Sequence, residues 1–162
     1  MKSRRLSVLL LAIFAATASY AASSAQQSFE QLKSLEGRWA GTSINGQPVE
    51  VDYRVTSSGS AMMSEMKGKE DMISMFNLDG DRVLLTHYCA MGNQPRMVAT
   101  SSPDGKTLTF NFLDATNLAT PDAGHMARVI LSMTDADHHT EEWIFSDQGK
   151  EHKEVFDLRR AK

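Results

Sequence analysis

The chain alternates between apolar and polar residues from Trp39 nearly to its end, and the period is two rather than 3.6. Two segments before Trp39 break that rhythm. LSVLLLAIFAA (Leu6 to Ala16) is continuously apolar, and SFEQLKSLEG (Ser28 to Gly37) spaces Phe29, Leu32 and Leu35 at helical intervals. In the second segment Ser28 and Gln31 form a capping-box pattern and Gly37 follows the last apolar position, which predicts one short helix. A series of short strands then follows, beginning with Trp39 to Ile44, which ends at the hairpin signal Asn45-Gly46. The next are Val49–Val55, Met62–Gly68, Asp71–Leu78, Arg82–Cys89 and Pro95–Thr100. Lys106–Leu113, Met126–Thr134, His138–Ser146 and Glu151–Arg159 complete about ten, with Asp114 to His125 as the longest irregular piece. Short strands at near-regular spacing, joined by Gly- and Asp-rich turns, predict an all-β antiparallel barrel or sandwich. A meander of hairpins favours the up-and-down barrel, because closure leaves no exposed edge.

The apolar run near the start changes where the domain begins. Lys2, Arg4 and Arg5 precede it and small residues follow, with candidate cleavage points after Ala21 and Ala25. Residues 1–25 therefore read as a secretory signal peptide and 26–162 as a single domain, exported to a periplasm or the outside. The first 25 residues hold three of the 17 basic residues and none of the 20 acidic ones, so the other 137 carry 14 against 20, a net −6. An acidic balance without a basic stripe argues against nucleic acid and against docking on anionic lipid. No membrane span is expected in the mature chain. Cys89 is the only cysteine, so no intramolecular disulfide forms and packing carries the stability.

A short helix running into LEGRWAG (Leu35 to Gly41), followed only by hairpins, resembles the calycins: lipocalins, fatty-acid-binding proteins and nitrobindin-like barrels. The segment LTHYC…GNQPRM is similar to one from a group of uncharacterised exported bacterial proteins of that architecture. The resemblance implies that Gly37-Arg38-Trp39 plugs the closed end of the barrel. It also implies that a late arginine packs on Trp39, with Arg159 taken for that role and Arg160 as the other match. No helical lid follows the first strand, so a fatty-acid assignment is not carried over. The nitrobindin-like branch would add haem, held by an interior histidine. Beyond His125, His138, His139 and His152 no late-strand position matches such a ligand, and the residues themselves predict no cofactor.

Candidate chemistry concentrates in LTHYCAMGNQPRM (Leu85 to Met97). Strand alternation puts Val83, Leu85, His87 and Cys89 on one face and Arg82, Leu84, Thr86 and Tyr88 on the other. Both faces are partly apolar; the reading adopted here turns His87 and Cys89 inward. His87 is then a hydrogen-bonded core histidine or a ligand contact, and Cys89 a small buried hydrophobe. Arg96 is a solvated arginine or a guard at a cavity mouth. His138-His139 and Glu141-Glu142 read as a polar surface turn, since neighbours on a strand point apart and no further metal ligands are spaced to join them. Nine methionines follow Met1, five of them between Met62 and Met75. Such flexible thioethers fill a wide core or line an adaptable apolar cavity.

These observations point to a barrel that binds a small apolar or amphipathic molecule in its interior. The expected contacts are Met62, Met66, Met75, Met97, Phe110 and Phe112, with His87, Cys89 and Arg96. The alternatives are an isomerase, cyclase or hydrolase using His87, with Tyr88 or Glu142, as acid and base, and a structural or interaction module with a filled barrel and no ligand.

Overall fold

The computed structural model describes residues 24–68 and 70–162. The expected signal peptide lies outside the described residues except for Ser24 and Ala25. One helix, α1 (Ser24–Lys33), precedes ten strands: β1 (Gly37–Ser43), β2 (Pro48–Thr56), β3 (Ala61–Lys67), β4 (Met72–Asp79), β5 (Arg82–Tyr88), β6 (Gln94–Ser101), β7 (Thr107–Thr116), β8 (His125–Asp135), β9 (His138–Asp147) and β10 (Lys150–Arg160). Each strand pairs antiparallel with its chain neighbours, and β10 returns to β1 from Trp39↔Arg160 to Ser43↔Phe156, which closes the barrel. Among the described residues no helix is long and apolar enough to cross a membrane.

The strands fall within a few residues of the alternation pattern, because that pattern is what one buried face requires. Two boundaries move. The helix begins at Ser24, four residues before the capping-box serine, so Ser28 is a buried helix residue rather than a cap, and Gly37 opens β1 instead of ending the helix. The cap pattern misled because Gln26 and Gln27 are good helix formers that extend the same turn backwards. At the other boundary, Asp114 to Thr116 continue β7 by pairing with Gln94, Pro95 and Arg96, which shortens the irregular piece.

α1 packs its Ala25, Phe29 and Leu32 face onto the end of the barrel beside β4 and β5. The chain between helix and barrel is locked there. Trp39 Nε1 donates to the Leu35 carbonyl (2.7 Å), and the Arg160 guanidinium lies 4.4 Å over the Trp39 ring. Arg160 also donates to the carbonyls of Glu36 (2.8 Å), Ser34 (3.1 Å) and Ala136 (3.1 Å). The expected partner Arg159 is exposed. Leu158 points into the core, so Arg160, two residues on, shares its side of the strand and Arg159 faces out. Gly37 adopts φ +123°, and a Cβ there would stand 3.2 Å from the Arg160 guanidinium.

Arg160→Ala should therefore lower stability by about 2–3 kcal/mol in urea denaturation, from lost carbonyl bonds and the stacked cation. Arg159→Ala should stay within about 0.5 kcal/mol of the parent. Equal effects of the two would contradict the assignment.

A buried polar layer beneath an apolar mouth

Four side chains on neighbouring strands occupy one row inside the barrel. Tyr53 on β2 is in register with Ser64 on β3, Ser64 with Ser74 on β4, and Ser74 with His87 on β5. All four are buried. The opposite wall is β9, where alternation turns His139, Glu141 and Trp143 inward. Glu141 is 1% exposed and His139 fully buried.

The two walls meet at the Glu141 carboxylate. Tyr53 donates its hydroxyl hydrogen to Oε1, and Trp143 Nε1 donates to Oε2 at 2.7 Å. His139 Nε2 lies 3.3 Å from Oε1 and 3.4 Å from the Tyr53 oxygen, with the imidazole set edge-on to Trp39 at 4.3 Å between ring centroids. A carboxylate out of water is tolerated only when its lone pairs are occupied by donors, and these aromatic side chains supply them. Burial, reinforced by the charge on Glu141, pushes the Tyr53 phenol well above its ordinary range. Tyr53 thus keeps its proton at any physiological pH and remains a donor.

His87 belongs to the same layer. Its Nδ1 is 3.0 Å from Ser74 Oγ and its ring is 4.9 Å from that of Trp143. Burial lowers its pKa from 6.5 to about 4, so the ring is neutral at neutral pH. His87 Nε2 and His139 Nδ1 are buried without a protein partner. The interior therefore mixes well-anchored polar atoms with two imidazole nitrogens that packing holds in place.

Directly above this layer the barrel opens into a cleft of about 480 Å³. Its apolar lining is Pro48, Val49, Met66, Met72 and Phe156, interspersed with the polar Ser43, Asn45, Gln47, Glu70 and Glu154. Strand register links cleft and layer. Met66 stands two residues from Ser64, Met72 two residues from Ser74, and Phe156 is the cross-strand partner of Glu141.

The residues expected as ligand contacts separate into four groups. Met62, Met97 and Phe110 lie in the packed core, together with His87. Met66 alone lines the cleft. Phe112 is 39% exposed and packs against His125 with the rings tilted and their centroids 4.6 Å apart. Met75 and Arg96 do not face the interior, and Cys89 lies outside the strands. Met75 alternates with the buried Ser74 and Phe76 and so lies on the outer wall. Cys89 falls past the end of β5, where its backbone N–H bonds Asn93 and burial pushes its thiol pKa up, which makes it a poor nucleophile. Arg96 is outward, with Nε donating to Asp114 at 2.6 Å. The acid–base partners considered for His87 are also absent from its surroundings. Tyr88 is 50% exposed, and Glu142 is outward and bonded by Lys153 at 3.2 Å.

His139 and Glu141 are corrected from surface turn to barrel interior. The available signal was parity: both share a face with Trp143, a residue that seldom stands in solvent, but their polarity masked it. The cleft walls contain no histidine, and the interior imidazoles are packed edge-on or tilted against Trp39 and Trp143. Among the described residues no group of three or more His, Cys, Asp or Glu side chains is arranged to hold a metal ion.

No protein-family model and no curated protein matches the chain. Among solved structures it is similar to a protein of unknown function of the DUF3598 family from Nostoc punctiforme PCC 73102, with 12% identity and a TM-score of 0.56. The alignment covers 81% of this chain and 49% of that one, so the chain spans about half the length of that structure. At this identity the likeness shows the fold alone.

Two predictions test the polar layer. The unfolded chain protonates His87 near pH 6.5 and the folded chain only near 4, so the folded state loses stability as pH falls through that window. Between pH 7 and 4.5 the parent should lose about 2 kcal/mol more than His87→Phe in parallel urea titrations. Glu141→Leu, which strands the Tyr53 and Trp143 donors, should cost about 3 kcal/mol, and Glu141→Gln clearly less, by the same assay.

Proposed function

We propose that this protein is an exported, calycin-like β-barrel that binds a small apolar or amphipathic molecule in the mouth of the barrel. The observation that carries this reading is the cleft of about 480 Å³ floored by Met66, Met72 and Phe156. That volume lies in the range that holds small organic ligands, and an apolar floor with a polar rim is the usual chemistry of such sites. Two methionines in the floor let it reshape around a ligand at little cost. The basic and apolar start of the chain supports export. The Trp39–Arg160 contact beside the closed end supports the calycin resemblance.

The expected site narrows from the whole interior to the mouth. Met62, Met97 and Phe110 are fully buried in the core, away from the cleft walls. Binding in the cleft exchanges only the exposed apolar surface of its floor, which keeps the barrel intact.

The test is fluorescence titration with the neutral probe N-phenyl-1-naphthylamine. Met66→Trp, which fills the cleft, should weaken binding at least about tenfold, the effect of losing roughly 1.4 kcal/mol. Met75→Trp, on the outer wall, should leave it unchanged. An unbound probe, or two variants that behave alike, would overturn the reading. Mass spectrometry of molecules that co-purify with the mature protein gives an independent readout.

A further inference from the structure

Resting on that reading of the mouth, we propose that its ligand carries a positive charge: an amphiphile of the alkylammonium class, with its chain on the methionine floor and its head at Glu154 and Glu70. Glu154 shares its strand face with Phe156 and Leu158, which turns it to the inner side of β10, where it lines the cleft with Phe156. Asn45 Nδ2, in the turn that follows the neighbouring strand β1, orients it at 3.2 and 3.4 Å from its two oxygens. Glu70, in the β3–β4 turn, is the second acid of the same cleft.

On the outer wall Asp52 and Glu65 are paired with Lys67, Asp114 with Arg96 and Glu142 with Lys153. Neither Glu154 nor Glu70 forms an ion pair with a described lysine or arginine, and among the described residues no basic side chain lines the cleft. Other described acids, Glu50, Asp81 and Glu151 among them, also lack an ion pair, but Glu154 and Glu70 are the two that line the apolar cleft. Lys69, in the same turn, lies outside the described residues. The other polar wall groups, Ser43, Asn45 and Gln47, are neutral. An alkylammonium ion fits both halves of this cleft. Its charge is compensated by the carboxylates, and its polarised N-methyl or N-methylene groups suit an aromatic face such as Phe156. A carboxylate or sulfate head would instead be repelled by two acids beside low-dielectric walls.

The experiment displaces N-phenyl-1-naphthylamine from the full mature protein with decyltrimethylammonium or decanoate. Both are held below their critical micelle concentrations in low-salt buffer at pH 7. The cation should displace the probe at least about tenfold more strongly than the anion, and 0.5 M NaCl should erase most of that preference. Glu154→Gln should weaken the cation several-fold and leave the neutral probe within about twofold. Glu70→Gln should act in the same direction more weakly. Equal displacement by cation and anion, or a preference untouched by both salt and Glu70→Gln, would overturn the charge assignment while leaving the apolar site standing. Loss of the neutral probe itself, in parent protein shown folded by circular dichroism, would overturn both. If Glu154→Gln does not fold, Glu70→Gln decides the matter against Asp104→Asn, which removes the same charge outside the cleft and should leave the preference unchanged.

Discussion

Closure of the sheet between β1 and β10 is the constraint on which the other features depend. The two strands approach so closely that a Cβ on Gly41 would stand 1.8 Å from the Asp157 carbonyl oxygen, so only glycine permits the last ladder to form there. Once the ladder forms, ten strands share one interior with no free edge, and the inner face of each must be filled. A barrel of this strand number is wider than one that aliphatic side chains alone fill easily. The interior accordingly uses Trp39, Trp143, Phe76, Phe110 and several methionines. The Arg160–Trp39 lock belongs to the same seam, since Trp39 and Arg160 are the first β1–β10 register pair.

Size also explains why a polar layer is tolerated so deep inside. Side chains long enough to reach across the lumen bring polar atoms with them, and these must find partners on the far wall. Tyr53 does so at Glu141, which also accepts from Trp143 on its own strand. Each donor is useful only while Glu141 remains, and Glu141 is tolerable only while both donors remain. The layer is thus cooperative, and one substitution exposes the full desolvation cost of its neighbours. His87, with one nitrogen on Ser74 and the other unmatched, is the weakest member of the set.

The architecture was legible in the chain because period-two alternation is a direct imprint of a one-sided sheet. β2, β5 and β9 begin within a residue of where Val49, Arg82 and His138 place them. Interior membership was legible wherever hydrophobicity and parity agree, as at Val83, Leu85 and the adjacent His87. It failed where they disagree. His139 and Glu141 have the parity of Trp143 and the polarity of a surface, and a local reading followed the polarity. Met75 failed in the opposite way, since an apolar residue on an outer wall looks like a core residue until its neighbours Ser74 and Phe76 are seen to be buried. The cleft was hidden for a different reason. Its walls come from β1, β2, β3, β4 and β10, and only closure places the end of the chain beside its beginning.

That same assembly of distant segments decides where a ligand can be held. Below the methionines every inward position belongs either to the apolar core or to the hydrogen-bonded layer, so a molecule entering further would have to break donor–acceptor pairs that water no longer replaces. Above them apolar and polar side chains line the cleft together, and the turns that form the rim meet solvent. Met66 and Met72 therefore mark the boundary between two regimes of the same barrel. Beneath them most polar atoms pair with each other, His87 Nε2 and His139 Nδ1 excepted. Above them Glu154 has a single neutral partner, Asn45, and retains acceptor capacity directed into the cleft. The strand parity that carries Glu154 inward is the same one that carries Leu158 into the core, four residues along β10. Recognition at the mouth and stability at the centre are consequently written on one strand, separated by a little more than one ring of side chains.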